Sequence, residues 1–279
     1  REAQEGEAAR KRLLRGLPNL ILTLVLVAVL AGAGVIGWLT VVEYRPADVE
    51  SVTVKAGARH DVASVGQLYK IVTLNVGYGS LGSEEDFFMD GGKNVLPKNK
   101  EEVTANLSGL LSALSLQDAD ICLLQETDTN SARSYWIDET EHFSRGLMMG
   151  KVESGLLTLN NLAVDEATRE SLPVPFSWPL RIANLKRCLL VERMPLQDSD
   201  KSLVLVNLHM EAYSSDEGRK AQMEVLSTLL KAEQRKGNYV IAGGDFNQAL
   251  PDSLEKYPLP EATPWKPGEL TADDLPSGF

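Results

Sequence analysis

The pattern of apolar and polar positions changes character along the chain. Residues 18–42, PNLILTLVLVAVLAGAGVIGWLTVV, are apolar on every side and carry no charge. A helix needs roughly 20 apolar residues to cross a bilayer, so this run predicts one membrane-spanning helix. No polar face marks it as the core helix of a soluble domain. Residues 43–68 read as a juxtamembrane linker with an edge strand, SVTV, at 51–54.

From residue 69 onward, short apolar runs alternate with helical spacing. YKIVTLNV (69–76), ADICLLQE (119–126), SGLLTL (154–159), KRCLLVERM (186–194), SLVLVNLHM (202–210) and NYVIAGGDFN (238–247) are predicted strands. Val103, Leu107, Leu110, Leu111 and Leu114 recur at helical spacing and predict an amphipathic helix over 99–117. A second helix over 217–236 carries Val225, Leu226, Leu229 and Leu230 and stops at Gly237. SGLLTL, RCLLV and LVLVNLH follow one another with little helix between them. That order predicts mixed sheets with helices outside them rather than a βαβ repeat. The stretch from Pro251 holds six of the 13 prolines and no strong periodicity.

Charge adds a direction. Arg10, Lys11, Arg12 and Arg15 precede the apolar run and Trp38 lies near its far end. The positive-inside rule then places the N-terminus in the cytoplasm and exports the rest. Small residues around Ala31–Gly34 would suit cleavage of a signal peptide. The run exceeds the roughly 7–15 residues of a signal core, however, so an uncleaved anchor is expected. The expected organisation is a cytoplasmic tail (1–17), a transmembrane anchor (18–42), a linker with an edge strand (43–68) and an α/β domain (69–279). The first residue is Arg1, so a longer or processed chain is expected.

The 279 residues carry a net charge of −11, and the first 50 balance six basic against six acidic side chains. The whole excess therefore falls on the remainder. Tight binding to a nucleic-acid backbone usually needs a basic patch, and none is visible. A nuclease that grips phosphate through a metal stays open. Cys122 and Cys188 sit inside apolar runs and read as buried thiols, with a disulfide as the alternative.

Several apolar strands stop on a polar group. Asn75 ends IVTLN, Glu126 ends ICLLQE, His209 ends VLVNLH, and Asp245 and Asn247 end VIAGGDFN. Ligand sites in α/β sheets favour such strand ends. Mg²⁺ takes hard oxygen ligands and needs only one or two carboxylates beside substrate phosphate, which Glu126 and Asp245 can supply. Asn75 and Asn247 can donate to phosphate oxygens. His209 can donate to an oxygen that gains charge in a transition state. No Cys/His cluster offers a zinc site and no glycine loop has P-loop spacing.

Leu74-Asn75, Leu124-Gln125-Glu126, Asn207-Leu208-His209 and Gly244-Asp245-Phe246-Asn247, in this order, resemble the endonuclease/exonuclease/phosphatase superfamily. SGLLTL and EGRKAQMEVL (217–226, with Arg219 and Gln222) are similar to its intervening segments. The resemblance covers about 69–250. The His at 209 points to the branch of secreted deoxyribonucleases and neutral sphingomyelinases. It implies a four-layer α/β sandwich, here preceded by one transmembrane helix, and Mg²⁺-dependent phosphoester hydrolysis, with Mn²⁺ as a substitute. It also implies roles. Glu126 is the metal ligand, with Asn75 and Asp245 near the metal. Asp245 orients the water or assists the leaving group. Asn75, Asn247 and His209 hold the phosphate, and His209 stabilises the charged transition state.

Three features depart from the family. Its closing Ser-Asp-His strand has no counterpart, since the only histidines are His60, His142 and His209. Only 27 residues separate Glu126 from Ser154, and SRGLMMGKVES (144–154) suggests a deletion or an omitted loop. The family's Ser-Arg after SGLLTL is Asn160-Asn161 here. A domain lacking its C-terminal part is therefore expected. The leading expectation is a membrane-anchored, extracytoplasmic phosphodiesterase or phosphatase acting on a lipid headgroup or another phosphoester, with no protein partner implied. An extracellular nuclease and a non-catalytic, membrane-anchored binding domain are the alternatives.

Overall fold

The computed structural model describes residues 2–80, 82, 92–153, 155–212, 216–259, 267–271 and 274–278, with side chains for all of these except 2–16, 150, 152, 153 and 216. The chain divides into two compact units, Arg1–Arg45 with Phe176–Leu185, and Pro46–Pro175 with Lys186–Phe279.

The first unit is built on helix α1, Glu2–Val41. Its stretch from Leu17 to Val41 is 25 residues long and apolar enough to cross a membrane, a character that a signal sequence shares. The helix also runs back through the residues expected as a tail. Ala, Glu, Arg and Leu dominate there and are strong helix formers.

The second unit contains β1 (Val49–Ser51), β2 (Val54–Lys55), β3 (Ile71–Asn75), α2 (Lys100–Ser115), β4 (Ile121–Gln125) and α3 (Glu139–Leu147). β5 (Gly150–Glu153), β6 (Leu157–Asn160), β7 (Glu166–Ser171), β8 (Cys188–Pro195) and β9 (Ser202–His209) follow. α4 (Asp216–Arg235), β10 (Tyr239–Asp245), β11 (Gln248–Ala249), α5 (Ser253–Lys256) and β12 (Gly268–Glu269) complete the order. One sheet runs β1-β7-β8-β9-β10 and the other β2-β5-β6-β4-β3, with β11 and β12 forming a small parallel pair. The β9/β10 and β3/β4 pairs are parallel and the other pairs of the two large sheets antiparallel.

Period-two alternation assigns the layers. Ile121 and Leu123 of β4 and Leu203 and Leu205 of β9 meet in one core between the sheets. Their neighbours Cys122 and Leu124 turn outward to Val103, Leu107 and Leu114 of α2. Val204, Val206 and Leu208 turn the other way, to Met223, Leu226 and Leu230 of α4. The result is the expected four-layer sandwich: helix, sheet, sheet, helix. α2 starts on Asn99, whose side chain accepts a hydrogen bond from the Glu102 amide at 2.8 Å, with Glu101 and Glu102 in the first turn.

Details differ from the sequence reading. SVTV is not one edge strand. β1 pairs with β7 at the edge of one sheet and β2 pairs with β5 at the edge of the other, so the chain crosses between sheets at Val52 and Thr53. Residues 46–68 are part of the folded unit, with Ala63 fully buried and bridged to Leu196. Residues 144–153 hold the end of α3 and strand β5, while Ser154 lies outside the described residues. Cys122 and Cys188 are buried thiols not joined in a disulfide, and burial pushes the Cys122 thiol up to about 11.

Glu192 of β8 lies in the core with no exposed surface, where Asn160 Nδ2 donates to its Oε2 at 3.0 Å. Burial outweighs the hydrogen bonds from Thr158 and Asn160 and raises its carboxyl from 4.5 to about 8. A raised carboxyl keeps its proton in the folded state after the unfolded chain has lost it. Stability therefore falls as pH rises between about 4.5 and about 8, at about 1.4 kcal/mol per pH unit for a single group. Glu139, also raised by burial to about 8, adds the same slope. Glu192→Gln is expected to melt higher than wild type at pH 8, to match it near pH 4.5, and to remove about half of the slope. Thermal melts across that range check this.

Candidate active site

The inner-face alternation that builds the core carries on to the strand ends. Asn75 continues the series Ile71, Thr73; Gln125 continues Ile121, Leu123; His209 continues Leu203, Leu205, Asn207; Asp245 continues Ile241, Gly243. All four strands therefore deliver a polar side chain to the same side of their sheets. Glu126 falls one residue beyond Gln125 and by alternation would turn away. Its backbone instead adopts a left-handed conformation, φ 57°, which breaks the alternation. Tyr78 (φ 55°) and Asn247 (φ 50°) also sit in this region, and such strain in non-glycine residues clusters where function requires it.

The groups meet within a few ångströms. Asn75 Nδ2 donates to Asp245 Oδ2 at 2.9 Å, and the Asn75 amide also hydrogen-bonds the Glu126 carboxylate. His209 Nε2 lies 3.7 Å from Glu126 Oε1 and 3.6 Å from Asp245 Oδ2. Asp245 stands directly opposite His209 in the β9/β10 register. Asn247 closes the turn, its N–H donating to Asp245 Oδ1 at 2.8 Å and its Nδ2 to the Met210 carbonyl at 2.8 Å. One of its amide protons is thus already used by the protein. The five candidates named from the sequence lie together at these strand ends.

Behind these strand ends, two buried amides tie the sheets together. Gln125 Nε2 donates to Asn207 Oδ1 at 2.8 Å, and Asn207 Nδ2 donates to the carbonyls of Leu124 and Leu157 at 3.3 and 3.1 Å. The polar letters beside Glu126 and His209 in their motifs are therefore inter-sheet clamps. Gln222 of α4 is another brace. It accepts from the Glu211 N–H at 3.0 Å and donates to the Pro173 carbonyl at 2.9 Å.

Electrostatics sharpen the picture. Burial, with a smaller contribution from Asp245, raises the Glu126 carboxyl, against the pull of Asn75, Arg187 and Arg133. Burial first, and Arg187 second, hold the His209 imidazole well below its ordinary value, so it is neutral at physiological pH. Among the described residues, no group of three or more His, Cys, Asp or Glu could hold a metal. The oxygens that converge, two carboxylates and an amide, could take a hard cation that keeps its waters.

Sequence reasoning missed Arg187, Tyr78 and Arg133. Arg133 lies over the Tyr78 ring, 3.3 Å from its centroid, and grips Asp128 with two bonds of 2.8 Å. Burial and Glu126 push the Tyr78 hydroxyl up to about 12. Arg187 stands one residue before β8 and acts on both Glu126 and His209. A Lys-Arg pair, Lys186-Arg187, at the start of an apolar strand antiparallel to the strand ending in His209 was the available signal. Arg187→Met is expected to raise the pH at which the His209 ring titrates, while burial still holds it below 6.5. An NMR titration of the ring protons reads this directly.

Two packed mixed sheets with helices outside them, and polar side chains meeting at the strand ends, define this as a four-layer α/β sandwich. The chain belongs to the Endonuclease/Exonuclease/phosphatase family, whose model matches residues 72–265. Members of this family are hydrolases acting on phosphoesters. An endonuclease/exonuclease/phosphatase family protein of Bacteroides thetaiotaomicron is similar, with 17% identity, 65% of this chain and 64% of that chain covered, and a TM-score of 0.46. A mannosyl-6-phosphatase of the same organism has 17% identity over 65% and 66% of the two chains, TM-score 0.47. Sphingomyelinase C of Streptomyces griseocarneus has 12% identity over 65% and 65%, TM-score 0.41. The chain thus spans less than two thirds of the length of each of these three. No curated protein matches it.

Proposed function

We propose that this chain is a Mg²⁺-dependent phosphoester hydrolase, anchored by residues 18–42 and working on the extracytoplasmic side. The observation that carries the reading is the meeting of Asn75, Glu126, His209 and Asp245 at four strand ends. Glu126 and Asp245, with Asn75, would hold Mg²⁺. The ion would neutralise phosphoryl charge as it develops. The donor set fits, because two partly buried carboxylates crowded together are costly unless a cation joins them.

The side chains have the remaining work. A neutral His209 donates one hydrogen bond to a phosphoryl oxygen without needing a proton from solvent. The remaining proton of the Asn247 amide orients the phosphate, while the Asn75 amide holds the Asp245 and Glu126 carboxylates in place. The Asp245 carboxylate, fixed by Asn75 and by the Asn247 N–H, accepts a hydrogen bond from the attacking water. The placement of Arg10, Lys11, Arg12 and Arg15 before the apolar run supports an N-terminus in the cytoplasm. The net charge of −11 weighs against a substrate held by its nucleic-acid backbone.

The test is release from a panel by the full chain in detergent: a phosphomonoester, a phosphodiester, a phosphorylcholine lipid and plasmid DNA, with and without Mg²⁺. Metal-dependent turnover that Glu126→Gln abolishes supports the reading. Plasmid nicking without cleavage of the other substrates selects a nuclease. No turnover above the Glu126→Gln control rejects the hydrolase and leaves a binding domain.

A further inference from the structure

The first unit holds more than the helix. Phe176–Leu185 folds onto the C-terminal end of α1 although it comes far later in the chain. The Trp178 indole Nε1–H donates to Thr40 Oγ1 at 3.1 Å. Arg181 donates from Nε and Nη2 to the two oxygens of Glu43, at 3.0 and 3.2 Å. Arg45 Nε donates to the same carboxylate at 3.2 Å. Glu43 is closed between two guanidinium groups, its side chain only 3% exposed. A buried carboxylate gripped in this bidentate way fixes the segment against the helix end.

What the segment turns outward is apolar. Trp178 is 56% exposed, Leu180 64% and Leu185 52%. Trp38, Val41, Val42 and Tyr44 are exposed beside the same helix end. Two indoles and a phenol therefore ring the end of an apolar span, where amphipathic aromatic rings settle at the level of lipid headgroups. Trp178 already has its polar N–H bonded, so its ring body is the part left to cover.

We propose that Phe176–Leu185 is an interfacial docking segment that inserts Trp178, Leu180 and Leu185 into the headgroup region of the phospholipid bilayer that α1 spans. It rests on the anchor reading above. The argument for lipid is continuity, since the segment packs on the last turns of the apolar stretch and shares their surroundings. A soluble partner would have to cover the segment while leaving that helix end in lipid.

The test places the full chain in nanodiscs of phosphatidylcholine with brominated acyl chains. Variants keep one tryptophan each, Trp178, Trp38 or Trp136, the others being Phe. Trp178 and Trp38 are expected to be quenched roughly twofold relative to unbrominated lipid, and the exposed Trp136 of the second unit not at all. Quenched Trp38 with unquenched Trp178 overturns the docking segment and leaves the anchor standing. Neither quenched overturns both. A second measurement keeps all tryptophans. Leu180→Cys is expected to react roughly fivefold more slowly with a charged maleimide than Leu250→Cys in the same discs. Cys122 and Cys188 are buried and stay silent. Equal rates at the two introduced positions overturn the proposal.

Discussion

Glu126→Gln is expected to leave the protein folded and to remove about 10²–10³-fold of the hydrolytic rate proposed for it, the order seen when one charge-stabilising group is lost. The argument starts from cost. Burial raises the Glu126 carboxyl and the neighbouring Asp245 adds to the penalty. A carboxylate kept where it is disfavoured is a candidate functional group. Gln keeps the shape and the hydrogen bond to Asn75 but removes the charge. The melting temperature is therefore expected to stay level or rise while activity collapses. A parallel fall in both would mark Glu126 as a structural residue. Unchanged activity would remove it from the site.

Gly244→Ala is the second large effect, on stability. Gly244 has φ 144° and pairs with Leu208 across the parallel β9/β10 junction. A Cβ there would collide with the carbonyl oxygen of Leu208 and lie 2.8 Å from its nitrogen and 2.9 Å from its carbonyl carbon. These are backbone atoms and cannot swing aside. The junction that sets Asp245 opposite His209 must open, at a cost of roughly 3 kcal/mol or more. Gly243→Ala is the matched comparison. Its Cβ meets only the Leu123 Cδ1, at 2.9 Å, the tip of a flexible side chain. Denaturant unfolding of the two variants is expected to separate them clearly, with Gly244→Ala also losing activity. Equal, small losses would show that the junction yields more easily than its backbone contacts imply.

The site was largely legible because its residues end strands. IVTLN, ICLLQE, VLVNLH and VIAGGDFN are apolar runs with an abrupt polar stop; β4 and β9 are buried on both faces, β3 and β10 only in part. Elements whose burial comes from tertiary position were not legible. β7 spells EATRES, with no apolar run, yet Ala167, Thr168 and Arg169 are buried between β1 and β8. α3 reads ETEHFSRGL and its apolar anchor is Phe143. The Asn160 that replaces the family's serine is also a core residue, holding Glu192 across the sheets. Nothing in sequence spacing could pair Trp178 with Thr40 or Arg181 with Glu43, since that contact exists only after folding.

The claim beneath all of this is that Glu126 and Asp245 share one divalent cation. Titration calorimetry of the full chain with Mg²⁺ measures it without any choice of substrate. The account predicts one saturable site in the wild type, weakened about 10–100-fold or more in both Glu126→Gln and Asp245→Asn, each variant still folded. Wild-type binding that both variants retain at equal strength would contradict it.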